Sequence, residues 1–162
     1  MIDLRKLRAA KVSDVLPGQL VLYAHGEQQF FAFRVEIPEG DEHERVGLVI
    51  LCTDAGGSAP EPFLFPEVGH NFCLHIGKPA IAWDGDPTSV TAVEARGVSP
   101  LVVTLEGIAL VARRDHRSSD RSGWDLVTGK HIRYGRGCRV NNWQIGVFMR
   151  IPLMMNGRAG GS

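Results

Sequence analysis

At 162 residues, with 44% hydrophobic and 22% charged side chains, the chain has the size and composition of one globular domain with a packed core, which excludes disordered, fibrous and coiled-coil classes. No apolar run reaches the roughly 18 residues of a membrane helix, the longest, Leu101 to Ala112, being broken by Thr104, Glu106 and Gly107. A net charge of zero hides an asymmetry: residues 1–112 hold eight basic and fifteen acidic side chains, a net of −7, whereas residues 113–162 hold ten and three, a net of +7.

Three cysteines, Cys52, Cys73 and Cys138, without CxxC spacing, predict reduced thiols. The basic N-terminus lacks the apolar stretch of a secretory signal, so a soluble, cytoplasmic protein with no membrane partner is expected.

In chain order, Leu4, Leu7 and Ala10 recur near helical spacing and predict a short helix over residues 3–11, ended by Pro17-Gly18. From Gln19 the period becomes two. Phe31, Phe33, Val35 and Ile37 share one face of a half-buried strand, with Ala32, Arg34 and Glu36 on the other. Val46 to Cys52 is apolar on both faces and reads as a central strand, and TDAGGSAPEP, residues 53–62, as a loop.

Short strands follow at 63–65, 72–76, 80–83 and 90–93. Leu101 to Ala112 reads as one long strand with a bulge at Gly107. After an arginine-rich loop at 113–123, WDLVT pairs with HIRY, and Asn141-Asn142 turns the strand at Cys138–Val140 into one running from Trp143 to Ile151.

The expected fold class is mainly β: a single-domain antiparallel β-sandwich or β-barrel of about ten short strands with a short N-terminal helix, spanning residues 1–155 and followed by a disordered tail at 156–162. Its core is expected to include Phe31, Phe33, Val35, Leu48, Ile50, Leu74, Leu105, Ile145 and Val147.

The sequence contains no G-x-S-x-G, Walker-type, G-x-G-x-x-G, H-E-x-x-H or EF-hand motif. Gly135-Arg136-Gly137 is read as a turn. The best metal-like cluster is His70, Cys73 and His75, since imidazole and thiolate suit zinc and Cys73 and His75 share a strand face. It is too sparse for a closed structural site, so neither metal nor cofactor is expected for folding. Asp84-Gly85-Asp86 is read as turn chemistry before cation binding. Glu106, a carboxylate in an apolar segment, is expected on a polar face with Thr104.

Nine of the ten basic residues after Ala112 are arginine, the side chain suited to bidentate contact with phosphate or carboxylate. Trp124, Tyr134, Trp143 and Phe148 are interleaved with them. The expected anion-binding residues are His131, Arg133, Arg136, Arg139 and Gln144 on the C-terminal hairpins, with Arg113, Arg114 and Arg117 beside them.

The resulting functional expectation is a non-enzymatic β module that binds a nucleotide, single-stranded nucleic acid or an acidic protein. One alternative is a metal- or thiol-dependent hydrolase around His70, Cys73 and His75, with zinc as its cofactor and Asp84 or Asp86 assisting. Another is a self-associating assembly protein whose homo-oligomer forms through the charge asymmetry or strand edges.

Overall fold

The computed structural model describes residues 7–38, 45–53, 61–66, 68–83, 85–93, 100–115, 117, 119–141, 143–147 and 151–153. The strands are β1 (Arg8–Lys11), β2 (Leu20–His25), β3 (Gln28–Glu36), β4 (Val46–Thr53), β5 (Phe63–Pro66), β6 (Phe72–Gly77), β7 (Pro79–Trp83) and β8 (Val90–Ala92). They continue as β9 (Leu101–Thr104), β10 (Ile108–Arg113), β11 (Arg121–Asp125), β12 (His131–Ile132), β13 (Gly137–Val140), β14 (Trp143–Val147) and β15 (Ile151–Leu153). The fold is mainly β, as the period-two patterning requires.

One sheet of twelve strands follows the order β1-β6-β2-β3-β4-β5-β10-β9-β13-β8, with β11 on β10 and β12 on β11. A second sheet has the order β15-β14-β7. Pairing is antiparallel except where β10 meets β5 at Arg113↔Phe63. Among the described residues the long sheet does not close, since β1 and β8 end its path. It does curl: Tyr23 on β2 and Phe65 on β5 bring their ring centroids to 6.2 Å although β3 and β4 lie between them in the sheet.

The curl makes β3 and β4 the centre of the molecule. Val46, Leu48 and Ile50 turn into one core with Val21, Tyr23 and Ala32. Val49 and Leu51 turn into another with Leu20, Phe33, Leu110, Trp124, Trp143 and Ile145. The central placement expected for 46–52 therefore holds. The half-buried reading of β3 does not, because its second face is covered as well. Arg34 is only 6% exposed; its Nε donates to Val12 O at 3.4 Å and its Nη1 to Val35 O. Burial lowers its pKa, with Glu36 opposing the shift.

Other expectations are corrected by pairing. Where a helix was expected, Arg8–Lys11 form β1, laid against β6 from Arg8↔His75 to Lys11↔Phe72, and Val12–Asp14 make a single 3-10 turn. A helix this short lacks the length to persist alone, so ladder hydrogen bonds win. Residues 3–6 lie outside the described residues, as does the tail at 156–162.

The segment 101–112 is a hairpin and not one bulged strand. The Thr104 amide donates to Gly107 O at 2.8 Å, and Thr104 Oγ1 accepts from the amides of Glu106 and Gly107. Leu105 sits at the tip, 99% exposed instead of in the core, and Phe31 and Leu74 are only half-buried. The side chain of Val147 lies outside the described residues.

The last long strand also divides, since β14 folds back on β15 with Ile145↔Leu153. The Asn-Asn hairpin is absent: β13 pairs β8 and β9, while β14 belongs to the other sheet. Asn141 instead donates from both its amide and its side chain to Ser89 O. Asn142 lies outside the described residues.

The turn after β11 joins the parts. Asp125 Oδ1 accepts from the amides of Val127 and Thr128 and from Thr128 Oγ1, at 3.1, 2.7 and 2.9 Å. Gly129 (φ +68°) then enters a space where a Cβ would stand 2.3 Å from Gly18 N and 2.7 Å from Arg34 O. Gly129→Ala is therefore expected to destabilise the protein by roughly 2–4 kcal/mol through overlap and a strained φ. Leu105→Ser is expected to stay within about 0.5 kcal/mol, as an exposed substitution does; urea unfolding of both variants measures the contrast.

Candidate functional site

Thr104, Leu105 and Glu106 at the β9–β10 tip face Arg114, Arg121, Ser122 and the run His131–Arg136 across a cleft of about 850 Å³. One wall is the hairpin tip. The other is built by β11 and β12, held in register by Gly123↔Ile132 and Trp124↔His131, and by the Gly135-Arg136 connection that leads into β13. Gly137 opens β13 opposite Thr104, which brings that connection back against the tip. A Cβ on Gly137 would stand 2.5 Å from Val103 O, so this approach requires glycine.

Ile132 supplies the apolar floor. It is 7% exposed and packs with Val93, Val102, Ala109 and Val111, with Tyr134 beside them. The Tyr134 ring lies on the backbone of β11: a Cβ on Gly123 would be 2.8 Å from Tyr134 Cδ1. Its hydroxyl donates to Arg121 O at 3.5 Å. One glycine thus sets where the aromatic wall stands.

Among the described residues four arginines line this cleft, Arg114, Arg121, Arg133 and Arg136, against one lining carboxylate, Glu106. Arg121 is paired with Glu61, its Nη2 donating to Oε2 at 3.1 Å and its Nε to Oε1, which raises its already high pKa. Arg114 Nε donates to Ser122 Oγ at 3.4 Å. Arg133 and Arg136 are exposed and make no hydrogen bond or ion pair with other described residues. His131 meets Trp124 edge-on at 6.2 Å.

Of the residues singled out from sequence, His131, Arg133, Arg136 and Arg114 come together in this cleft. The other four do not line it. Arg113, paired across the ladder with Arg121, stands 3.9 Å from Glu61 and does not line the cleft. The Arg117 amide donates to Asp115 Oδ1 in the connecting loop. Arg139 Nε donates to Val93 O at 3.1 Å, on the far side of β13. Gln144 lies in the other sheet, opposite Ala82, because the hairpin that would have placed it beside Arg139 does not form.

Sequence reasoning missed the wall formed by Thr104–Glu106, and with it the lining role of Glu106. A turn signal was present in Thr104-x-x-Gly107, masked by apolar Leu105. Arg121 and Tyr134 carried the right chemistry, but no period placed them.

The metal-like cluster is arranged differently. Cys73 is buried, and its Sγ donates to Ala10 O at 3.6 Å. Burial pushes the thiol pKa up to about 11. His75 Nε2 is bonded to Gln19 Oε1, and His70 lies in the turn before β6. Among the described residues no three His, Cys, Asp or Glu side chains gather to hold a metal ion. Asp86 caps the 3-10 turn at Pro87–Ser89 through the amide and hydroxyl of Thr88, which hold its carboxyl below the usual range. Asp84 lies outside the described residues.

No protein-family model, curated protein or solved structure matches this chain.

The two described thiols with resolved surroundings differ in a measurable way. Cys73 is buried and Cys138 exposed, so iodoacetamide at pH 8 should modify Cys138 first and Cys73 only with unfolding, as mapped by mass spectrometry. The folded state holds the Cys73 proton more tightly than the unfolded chain. The stability this gives is present below the free-thiol range and is lost as pH rises through it toward 11, which melts between pH 8 and about 10.5 should show.

Proposed function

We propose that this protein is a β module that binds an anionic partner in the cleft between the β9–β10 tip and the β11–β12 wall. One observation carries the reading: four arginines converge on a single concavity, and two of them, Arg133 and Arg136, have no partner among the described residues. Like charges gathered in a concave site raise the local potential and concentrate counter-ions of opposite sign.

The volume suits a ligand, since clefts that hold small molecules run from roughly 300 to 1,000 Å³. Guanidinium groups add bidentate donor geometry for phosphate or carboxylate oxygens. Buried Ile132 provides an apolar floor beneath those groups. Part of the charge asymmetry is already answered inside the chain, because Glu61 of the acidic part holds Arg121 and approaches Arg113. Such exposed pairs contribute only about 0–1 kcal/mol each. Arg133 and Arg136, without a partner among the described residues, are then the arginines available to a ligand.

Titration with a short fluorescent oligouridylate, used as a polyanion probe, tests this reading. Arg133→Gln and Arg136→Gln should each weaken binding several-fold and reduce the salt dependence by about one unit of slope. Their melting temperatures should stay within about 1–2 °C of the parent, as exposed substitutions do. Arg139→Gln, outside the cleft and bonded to Val93 O, should leave binding unchanged and lower the melting temperature. An absence of binding at low salt, or equal loss from all three variants, would remove the cleft as the site.

A further inference from the structure

Resting on the anion-binding reading of the cleft, we infer that its ligand carries a nucleobase beside its phosphates, with guanine the preferred base. The argument starts from Glu106. In a cleft that served plain anions, a carboxylate on the wall facing Arg133 and Arg136 would repel every ligand it met. It becomes favourable for a ligand that brings hydrogen-bond donors together with its negative charge. A phosphorylated nucleoside carries both on one small molecule, its donors fixed on a planar base edge apart from the phosphates, whereas a fully ionised polyphosphate has none.

Tyr134 agrees with this. Its ring, carried by the connection after β12, lines the same cleft and rests against the Gly123 backbone of β11, and an aromatic ring so positioned is the kind of platform on which unpaired bases stack. Leu105, 99% exposed at the tip across from it, supplies apolar surface for a base edge or sugar. The cleft therefore divides its labour: Arg133, Arg136 and Arg114 take phosphate oxygens, Tyr134 takes the face of the base, and Glu106 takes its polar edge.

The choice of base follows from donor geometry. A carboxylate presents two acceptor oxygens side by side. Guanine offers two adjacent N–H donors on its Watson–Crick edge, cytosine and adenine offer one exocyclic amino group, and uracil only a ring N–H flanked by carbonyls that Glu106 repels. The expected order is guanine first and uracil last.

The test uses the full chain with GTP, UTP and inorganic tripolyphosphate, followed by calorimetry or competition against the fluorescent probe. GTP is expected to bind at least roughly tenfold more tightly than tripolyphosphate, the scale of one base stack with its edge contacts. Glu106→Gln is decisive because its effects should have opposite signs: weaker GTP binding, with the preference over UTP reduced several-fold, and tighter tripolyphosphate binding. Glu106 is exposed at a turn, so folding is retained, as a melt verifies.

If tripolyphosphate binds as well as GTP and Glu106→Gln tightens both alike, the nucleobase inference is overturned while the anion cleft stands. If none of the three binds and the oligouridylate does not either, both fall together. A short oligouridylate carrying one guanosine, compared with GTP, assigns the source of the ligand: tighter binding of the strand supports an unpaired nucleic acid, and tighter binding of GTP supports a free nucleotide.

Discussion

The position of every wall of the cleft depends on the turn at Asp125–Lys130. Its carboxylate, Asp125, ties down Val127 and Thr128. Its far end is seated on the body of the protein, with the Glu36 amide donating to Gly129 O at 2.8 Å. The hairpin that forms the opposite wall is anchored to the same place: the Leu126 amide donates to Ile108 O at 2.9 Å, and a Cβ on Gly107 would fall 2.3 Å from Asp125 Oδ2. Strands β11 and β12 enter and leave this turn. Both walls and the central β3 thus share one junction, where glycines at 18 and 129 permit backbone to meet backbone and Gly107 leaves room for the Asp125 carboxylate.

What could be read from the sequence was what a single strand's own pattern dictates. The double-faced apolar run at 46–52 had to be central, because no arrangement of one covered face would bury it. The pairing of WDLVT with HIRY, realised as Trp124↔His131, followed from a glycine turn of the right length. Arginine in the C-terminal part marked the cleft's charge. Each of these signals is local.

The failures came where a tertiary contact decides. Leu4, Leu7 and Ala10 carry a helical spacing over residues 3–11, yet the edge of β6 was open to Arg8–Lys11. Arg34 sits at a position whose alternation says solvent, yet the 3-10 turn at Val12–Asp14 closes over it and offers the Val12 carbonyl to its guanidinium. Leu105 made a hairpin tip look like strand. The error that mattered most for the site was at Asn141, where two hydrogen bonds to Ser89 O redirect the chain into the second sheet and carry Gln144 away from Arg139. Nothing within residues 138–144 encodes that partner, since Ser89 lies fifty residues earlier.

The same local-versus-tertiary division explains why the charge asymmetry overstates the cleft. Of the eight C-terminal side chains expected to bind anions, half are held elsewhere, Arg113 beside Glu61, Arg117 in the connecting loop, Arg139 by its bond to Val93 and Gln144 in the second sheet. The four that remain are joined by Arg121, partly answered by Glu61, and are opposed by Glu106. A site tuned only for affinity would have no carboxylate in its wall. On the proposed reading, Glu106 would lower the attraction for anions in general and so discriminate against those that bring no donor to meet it. The hairpin turn set by Thr104 places that carboxylate on the wall of the arginine-lined cleft, so on the proposed reading the local hydrogen bonds of Thr104, Glu106 and Gly107 would set the selectivity of a site whose affinity comes from the opposite wall.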